Sequence, residues 1–416
     1  MKKKLTIIGM KAKKALLNSV STKNKNKVLL KFSELLKKNK DKILVENKKD
    51  IKFAKKKGIK DNLINRLELS ENKITAMISS VINIAKLEDP TYQTLSKWKR
   101  SNGLNFKKVT IPIGVIGVIY ESRPNVTADV SCLCFKSGNS VILRGGSEAF
   151  SSNKIISDLF RKALSINKIN KNYVQFIDLR ERYVVDFMLS SMKNFIDVII
   201  PRGGKGLVKK VQDVSKIPII GHLEGVCHTY IDKNANINMA KKIVLNAKLR
   251  NTSICGATET LLVHKNLDKR SINKILSALE INNCKIYADN LTRKLYKGKS
   301  YKANKNFWGK EFLSSKISVK SVKNIDEAIN HINKYGTMHT DAIISKNKKI
   351  VEKFLQNVNS SIVIHNSSTQ FADGGEFGFG GEVGISTNKL PPRGPVGLNQ
   401  LVTYKYMILG TGQLRK

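Results

Sequence analysis

The sequence VTIPIGVIGVIY at residues 109–120 decides the fold class of this chain. It carries no charged side chain, and Val and Ile make up most of it. A strand of a parallel sheet is covered on both faces, so its sequence is continuously apolar and does not alternate with polar residues. The run therefore predicts a strand that is buried on both faces.

Strands and helical stretches alternate along the chain after this run. The alternation predicts an α/β fold with a mainly parallel sheet. The further strands are predicted at residues 140–144, 174–179, 195–200, 228–232, 258–264, 341–345 and 361–365.

The residues before the run are predicted to form helices and a hairpin. Leu29, Phe32 and Leu36 recur at helical spacing between lysines, and Gly58 is a suitable helix stop. Asn102-Gly103 is the strongest short signal for a tight hairpin turn. We therefore expect helices over most of the first ninety residues, followed by a β-hairpin.

The charge of the chain suggests a partner before it suggests a fold. The 416 residues include 75 Lys or Arg and 32 Asp or Glu, which gives a formal net charge of +43. Such a charge is found in proteins that bind nucleic acids. Lysine, however, is spread along the whole chain, and arginine, whose planar fork matches bases and phosphates, is the minority. A lysine-rich surface is therefore favoured, and a basic nucleic-acid-binding protein is the less favoured class of function.

The sequence contains no recognisable targeting segment. The apolar run at residues 5–10 is too short for a signal peptide, and no stretch reaches the roughly 18 apolar residues of a membrane span. The five cysteines have no repeating spacing, so no disulfide framework is expected. His222, His228 and His339 show no metal-ligand spacing and are interpreted as structural. We expect a cytoplasmic protein without a metal or a membrane partner.

Residues 198–206, VIIPRGGKG, combine an apolar strand with a glycine-rich turn that leads into a helix. Helix N-termini present N–H groups that bind phosphate, and glycine lets the backbone approach a ligand closely. The segment matches neither G-x-G-x-x-G nor the P-loop pattern. A nucleotide site and an ordinary tight turn are equally compatible with these residues alone.

Cys255 lies in the polar loop NTSICGATE, residues 251–259, between a predicted helix and a predicted strand. A cysteine in such a loop is placed for reaction more than for packing, and the nearby Lys248 and Arg250 would favour its nucleophilic thiolate. The residues alone leave a structural role open. Burial is expected for the cysteines in apolar contexts, Cys132, Cys134 and Cys227.

Asn125 follows the apolar run closely, within the sequence RPNVT at residues 123–127. Ligands bind at the carboxyl ends of parallel strands, and a side-chain amide at this end could stabilise an oxyanion. Asn is also a favoured N-cap residue of helices. Both interpretations stay open from the residues alone.

Seven segments, in the expected order and spread over essentially the whole chain, resemble the aldehyde dehydrogenase superfamily. Four motifs within them, RPNVT, EGVCH, GGEVGIST and RGPVGL, are typical of a branch that reduces an acyl phosphate and not of aldehyde dehydrogenases at large. The segments are residues 111–130, 136–149, 198–207, 221–232, 251–264, 335–343 and 377–406.

The resemblance implies a role for each matching position. Cys255 would be the nucleophile, and Asn125 would form an oxyanion hole together with the Cys255 N–H. The cofactor would be NADPH, because Arg144 could pair with the 2′-phosphate of the adenosine ribose. The positions that the resemblance assigns to the cofactor are Arg144, Ser147, Arg202, Gly203, Gly204 and Glu311.

The implied activity is the NADPH-dependent reduction of γ-glutamyl phosphate to glutamate 5-semialdehyde and phosphate through a cysteine thioester, the second step of proline biosynthesis. A hydrolytic NAD(P)-dependent aldehyde dehydrogenase is the alternative. Against it, Gly221 stands where hydrolytic members carry the glutamate that activates water, although Glu224 lies close by in the sequence. The substrate would be bound by Arg123, Gly384, Ser386 and Thr387.

The resemblance also implies an architecture, with a Rossmann-type cofactor domain, an α/β catalytic domain and a small β oligomerisation element. The expected partners are a second copy of the chain, in a homodimer or tetramer, and glutamate 5-kinase, which makes the labile substrate. The domains would be residues 1–95 and 112–223 for NADPH, 224–390 for catalysis, and 96–111 with 391–416 for oligomerisation.

Overall fold

The computed structural model describes residues 1–59 and 61–415 and divides into two compact units. The first unit comprises Met1–Gly221, Gly378–Gly384 and Val396–Lys416, and the second comprises His222–Phe377 and Ile385–Pro395. The chain therefore leaves and re-enters the first unit twice. Its first crossing falls next to the predicted domain boundary after residue 223.

Residues 378–384 belong to the first unit, whereas the predicted domains include them in the catalytic part. Val383 packs into the core of the first unit together with Val396 and Leu398. Its backbone N–H also donates a hydrogen bond to the carbonyl oxygen of Val396 at 2.9 Å. Packing into the core therefore places this short segment in the first unit, although the residues on either side of it belong to the second unit.

Helices occupy most of the first ninety residues, as predicted. Leu29, Phe32 and Leu36 lie buried on one face of the second helix. The third helix ends at Lys56, and Gly58 follows with a φ of +65°, a conformation that glycine adopts without strain. The helices are α1 Lys2–Ala15, α2 Thr22–Lys38, α3 Lys40–Lys56, α4 Asp61–Leu67 and α5 Glu71–Lys86.

Strands alternate with helices in the rest of the first unit up to residue 221. These elements are β1 Thr94–Lys99, β2 Asn105–Pro112, β3 Val115–Tyr120, α6 Pro124–Lys136, β4 Ser140–Gly145, α7 Phe150–Ile166, β5 Val174–Phe176, α8 Tyr183–Ser191, β6 Val198–Arg202 and α9 Lys205–Val214. Four of the strands form a parallel sheet in the order β5-β4-β3-β6. Every residue of β3 and β4 is buried, as expected for strands covered on both faces.

The run at residues 109–120 forms two strands, not the single strand predicted. Pro112 ends β2, because proline has no N–H to donate to a neighbouring strand. Gly114 then turns the chain with a φ of +134°, and the next N–H, that of Val115, donates to the carboxylate of Asp197 at 2.7 Å. As a result β2 joins an antiparallel sheet, and β3 enters the parallel one.

The second unit is built around a sheet whose neighbouring strands are all parallel. Its elements are β7 Cys227–Ile231, α10 Ile237–Leu249, β8 Thr258–His264, α11 Lys269–Ile281, β9 Lys285–Ala288, α12 Asn290–Leu295, β10 Tyr301–Lys302, β11 Lys316–Val322, α13 Ile325–Tyr335, β12 Thr340–Ile344, α14 Lys348–Asn357 and β13 Ile362–His365. The strand order is β10-β9-β11-β8-β7-β12-β13. The predicted α/β class with mainly parallel sheets is confirmed.

The strands β9 and β11 were not predicted from the sequence. β11 lies between β9 and β8 in the sheet, yet it carries Lys316 and Lys320 among its apolar residues. Both lysines are half-buried, and the Lys320 ammonium lies 3.7 Å from the carboxylate of Glu327 on α13. The aliphatic parts of such lysines cover apolar surface, but their charges interrupt the apolar pattern from which a buried strand is predicted.

The C-terminal part of the chain adds β14 Gly384–Ser386, β15 Gly394–Val396 and β16 Val402–Leu409. We call the antiparallel sheet β1-β2-β16 the terminal sheet. The turn between β1 and β2 contains Gly103 with a φ of +85°, at the predicted hairpin. Among residues 1–59 and 61–415, helices of the length and apolarity required to cross a lipid bilayer do not occur.

Candidate active site

Cys255 lies in the loop that joins α10 to β8 in the second unit. Its side chain is half-buried. The other cysteines, Cys132, Cys134, Cys227 and Cys284, are buried. Within the described part of the chain, Cys255 is therefore the cysteine that a substrate or a reagent can reach.

Two histidines flank the Cys255 thiol. One donor atom from each of His222 and His339 and the sulfur all lie within 4.8 Å of one another, and the two rings meet edge to face. Nδ1 of His222 lies 2.7 Å from the carbonyl oxygen of Ile385, and Nδ1 of the fully buried His339 lies 2.9 Å from Oγ1 of Thr340. These contacts fix the orientation of both rings.

The two imidazoles decide the protonation of the cysteine. Burial raises the pKa of the Cys255 thiol, but the nearby charges of His339 and His222 lower it by more. The net pKa lies well below the ordinary value of a cysteine. Because the thiolate is the nucleophilic form, the site offers a nucleophile at neutral pH.

Lys248 and Arg250, which were expected to favour the thiolate, are engaged elsewhere. Lys248 forms an ion pair with Glu259, and both side chains are fully buried. Nε of Arg250 donates to the side-chain oxygen of Gln370 at 2.9 Å. The expectation about these two residues is therefore wrong, and the histidines take their place.

Gly225 brings the backbone of the EGVCH motif against the cysteine. A Cβ at this position would lie 2.2 Å from the carbonyl oxygen of Cys255, so a side chain is excluded. The Gly225 N–H donates to Oε1 of Glu311 at 2.8 Å. Burial raises the pKa of Glu311, the Gly225 N–H lowers it, and the charges of Cys255 and Glu224 raise it further. Glu311 thus lies in the electrostatic field of both Cys255 and Glu224.

The structure brings His222 and His339 to Cys255, although their spacing in the sequence predicted structural roles for both. His222, which follows Gly221 directly, presents its side chain to the cysteine. His228, in contrast, forms a buried pair with Asp341. The signal that could have identified the two site histidines is their position within the resembling segments 221–232 and 335–343.

A cavity of about 440 Å³ opens in the first unit at the carboxyl ends of β3 and β4. This edge of a doubly wound sheet is where nucleotides bind. Cationic side chains outnumber anionic ones in its lining. They are Arg144, Arg180, Arg182 and Lys210 against Glu121 and Glu148. The cavity, which Ser147 also lines, therefore suits a ligand that carries several phosphates.

Arg144 lines this cavity, but its guanidinium is bound to the backbone. It donates to the carbonyl oxygens of Arg180 at 3.2 Å and Glu181 at 3.3 Å. These bonds hold the backbone of residues 180 and 181 in place. The same segment carries the exposed side chains of Arg180 and Arg182. Arg180 stacks on Phe150 at 4.4 Å, and Arg182 lines the same cavity. Neither arginine was identified from the sequence.

The glycine-rich turn after β6 is held by a carboxylate of the chain itself. The Gly204 N–H at the start of α9 donates to Oε2 of Glu121 at 2.8 Å. A Cβ at Gly203 would lie 2.5 Å from the same oxygen. Arg202 lies 3.6 Å from the carboxylate of Glu382. The turn therefore combines close backbone approach with two fixed carboxylates.

Asn125 lies in the first turn of α6. The helix begins at Pro124 and has Arg123 at its N-cap, so Asn125 is not the capping residue. Its side chain is exposed, and Nδ2 donates to Oδ2 of Asp129 at 3.4 Å. The amide therefore remains a donor at the carboxyl end of β3, in the first unit.

The substrate positions expected in the C-terminal motif fall in different units. Gly384 belongs to the first unit, where a Cβ would meet Cδ of Arg202 at 3.2 Å. Ser386 and Thr387 belong to the second unit, with Ser386 buried and Thr387 half-buried. The structure thus groups Gly384 with Arg202, and the other two residues with the unit of Cys255.

Comparisons with known proteins identify the family to which the chain belongs. The model of the aldehyde dehydrogenase family matches residues 6–286. A gamma-glutamyl phosphate reductase from Allorhizobium ampelinum is 45% identical over 410 residues, which cover 98% of this chain and 96% of that protein. A gamma-glutamyl phosphate reductase from Parvibaculum lavamentivorans is 44% identical with the same coverage.

A solved structure extends the similarity to three dimensions. The crystal structure of gamma-glutamyl phosphate reductase from Thermotoga maritima superposes with a TM-score of 0.95 at 38% identity. The superposition covers 99% of this chain and 100% of that one. The chain therefore belongs to the aldehyde dehydrogenase family of nicotinamide-dependent oxidoreductases and, within it, to the γ-glutamyl phosphate reductases.

Proposed function

We propose that this chain reduces γ-glutamyl phosphate with NADPH to glutamate 5-semialdehyde and phosphate, in the second step of proline biosynthesis. The observation that carries the proposal is the accessible Cys255 thiol between His222 and His339. The membership of the chain in the γ-glutamyl phosphate reductases supports the choice of substrate. An acyl phosphate is an activated carboxyl group. A thiolate converts it to a thioester in one displacement.

The first step joins substrate and chain. The Cys255 thiolate attacks the acyl carbon, so that a C–S bond forms and the C–O bond to phosphate breaks. The proton that left the thiol resides on a flanking imidazole, and this imidazolium gives it to the departing phosphate. His222 and His339 thus act first as base and then as acid, a role worth typically 10²–10⁴-fold in rate.

Each tetrahedral oxyanion of the reaction needs hydrogen-bond donors. We assign this role to the side-chain amide of Asn125 and to the Cys255 N–H. The long hydrogen bond to Asp129 leaves the Asn125 amide able to turn towards a ligand. Loss of one such donor costs about 3 kcal/mol of transition-state stabilisation.

The second step returns the cysteine. NADPH, when bound, supplies the hydride that reduces the thioester. Collapse of the resulting thiohemiacetal oxyanion breaks the C–S bond and releases the aldehyde with the Cys255 thiolate restored. An imidazole then takes one proton from solvent, so that a single proton is consumed in each turnover.

The cationic cavity of the first unit supports the choice of NADPH. Arg180 and Arg182 would hold the 2′-phosphate, because their exposed guanidinium groups can bind it in a bidentate manner. Arg144 would position them through its bonds to the backbone, and Ser147 would bind the adenosine ribose. The remaining assigned positions are Arg202, Gly203 and Gly204 at the pyrophosphate, and Glu311 at the nicotinamide ribose.

The substrate and the partners complete the proposal. Arg123, Gly384, Ser386 and Thr387 would bind the glutamyl group. We assign the enzyme to the cytoplasm as a homodimer or tetramer that associates through the terminal sheet. Glutamate 5-kinase would hand over the labile acyl phosphate, and nucleic acid has no specific role.

The reverse reaction tests this function against hydrolysis. Oxidation of glutamate 5-semialdehyde by NADP⁺ should require phosphate, because phosphate must release the acyl group from Cys255. Equal turnover with and without phosphate would establish a hydrolytic enzyme. The Cys255→Ser variant should lose the reduction of γ-glutamyl phosphate, and retained activity would remove the mechanism.

A further inference from the structure

We propose that His222, Cys255 and His339 form a binding site for a soft divalent cation, with Zn²⁺ as its preferred occupant. The bound ion should also inhibit the enzyme. This expected inhibition rests on the function proposed above, whereas the binding of the ion does not. The group combines two imidazoles and one thiolate, the ligand types that zinc prefers.

The spacing of the three donor atoms fits this ion. All three atoms lie within 4.8 Å of one another. Zn–N and Zn–S bonds of about 2.0–2.3 Å place the donors of a tetrahedral site roughly 3.3–3.8 Å apart. Small side-chain rotations therefore close the group around a cation. Within the described residues, a second group of three or more such donors does not occur.

The hydrogen bond on His222 prepares this ring as a ligand. Its Nδ1 faces the carbonyl oxygen of Ile385 at 2.7 Å, and a carbonyl can only accept. The Nδ1 proton is therefore held in this bond, which leaves the lone pair on Nε2. A metal-binding histidine usually donates its other N–H to a carbonyl or carboxylate in this way.

His339 provides an independent observation. It is fully buried, and its Nε2 forms no hydrogen bond within the described structure. A buried polar atom without a partner is costly, and a metal ion would satisfy it. The opposite nitrogen, Nδ1, lies 2.9 Å from Oγ1 of Thr340 and 3.6 Å from the sulfur of Cys227.

The site is partly accessible, since Cys255 and His222 are both only half-buried. Three protein ligands leave the fourth position of a tetrahedral zinc ion to water, as in accessible zinc sites. Cys255 is half-buried, so the ion can enter and leave. The bound cation would engage the sulfur lone pairs that attack the substrate. Inhibition should therefore be reversible by a chelator and competitive with γ-glutamyl phosphate.

Cobalt titration of the full chain, without substrate or cofactor, tests the binding. Co²⁺ replaces Zn²⁺ in such sites and develops a thiolate-to-cobalt charge-transfer band. We expect this band in the wild type and its displacement by equimolar Zn²⁺. Cys255→Ser should abolish the band. His222→Asn and His339→Asn should each weaken binding at least tenfold, while the control His365→Asn, on an exposed residue of β13, should bind as the wild type does.

The outcomes separate this site from the proposed function. A chain without the charge-transfer band, or with equal binding in His222→Asn and His365→Asn, overturns the site. Circular dichroism of each variant shows whether it is folded, and the partly exposed His222 serves if His339→Asn is not. A chain that binds Co²⁺ through Cys255 but does not reduce γ-glutamyl phosphate supports the site while refuting the function.

Discussion

At the scale of single residues, the protonation of Cys255 has the most direct chemical consequence. Alkylating reagents react with thiolates, so the rate for an ordinary thiol rises about tenfold per pH unit below a pKa near 8.5. The pKa of Cys255 lies well below the ordinary value of a cysteine, so the thiolate fraction should change less over the same range. We expect iodoacetamide to modify Cys255 alone, at a rate that varies less than about threefold between pH 6.5 and 8.5. Mass spectrometry of timed samples identifies the modified residue and measures the rate of its modification.

Histidine variants show whether the imidazoles cause this behaviour. His222→Asn and His339→Asn should each restore a rate that climbs with pH, because each removes one group that lowers the pKa of the thiol. His365→Asn is the matched control and should keep the flat profile. Flat profiles in both site variants would show that the histidines do not set the protonation of Cys255.

Arg180 and Arg182 should decide the preference for NADPH. Removal of one charge-assisted contact costs roughly 1.5–3 kcal/mol, so each alanine variant should raise the KM for NADPH by about tenfold or more. The KM for NADH should not change, since NADH has no 2′-phosphate. Steady-state kinetics with both cofactors measure the difference, and equal effects on the two would contradict the assignment.

Residue-scale chemistry was only partly visible in the sequence. The polar loop marked Cys255 as a reactive candidate, because its composition is local information. His222 and His339 were missed because they are distant from it in the chain and converge only through the fold. Arg144 was predicted to bind the cofactor and lines the cavity of the first unit, but its hydrogen bonds to the backbone carbonyls of residues 180 and 181 could not be foreseen.

At the scale of elements, Asp89 fastens α2 to the segment before β1. Its carboxylate accepts hydrogen bonds from Thr22 Oγ1 at 2.9 Å, Lys25 Nζ at 2.8 Å and the Thr91 N–H at 3.0 Å. The Lys25 side chain is almost fully buried. We expect Asp89→Asn to lower the free energy of unfolding by roughly 3 kcal/mol, because it leaves a buried ammonium without its counter-charge. Urea titration at neutral pH measures this loss.

Acid should weaken the same contact in the wild type. Burial raises the pKa of Asp89, but the hydrogen bonds and charge of Lys25 and Thr91 lower it by more, to below the ordinary 3.8. A carboxyl whose folded pKa is depressed contributes stability above its unfolded pKa and loses it as the pH falls through the folded one. The stability difference between wild type and Asp89→Asn should therefore shrink below about pH 3.8. A constant difference down to pH 2.5 would contradict this.

Elements were predictable where their apolar pattern is uninterrupted. The strands near 140, 198, 228 and 258 appeared close to their observed bounds, because both of their faces are buried. The break at Gly114 was hidden because Pro112 and Gly114 lie inside an otherwise continuous apolar run. β11 was hidden for the opposite reason, since its lysines resemble a surface segment.

At the scale of the whole molecule, the terminal sheet carries a surface that a second copy can cover. Trp98, Tyr406 and Ile408 are exposed, although Trp98 stacks on Phe106 and contacts Tyr406 edge to face. Exposed apolar residues on an edge strand favour association. We expect the double variant Tyr406→Asp, Ile408→Asp to be monomeric by light scattering, while the wild type is a dimer or tetramer. An unchanged mass would place the interface elsewhere.

The fold class of the molecule could be predicted from the alternation of strands and helices, whereas its division into two units could not. Local patterns cannot show that residues 378–384 complete the core of the first unit, because this depends on packing against a distant part of the chain. The net charge of +43 is likewise a property of the composition and did not locate a binding site. The specific contribution of this charge is the small group of arginines at the cavity for which we propose NADPH.

The repeated crossing between units has a consequence for how the chain is made. On the ribosome, domains generally fold in the order in which they emerge, beginning with the N-terminal one. Here the first unit contains the N-terminus but awaits Val383, Val396, Leu398 and β16 before its core and terminal sheet are complete. The parallel sheet of the second unit, whose last strand ends at His365, has by then been fully synthesised. Synthesis therefore completes the unit that holds Cys255 first, and the unit that holds residues 1–221 is the last to mature.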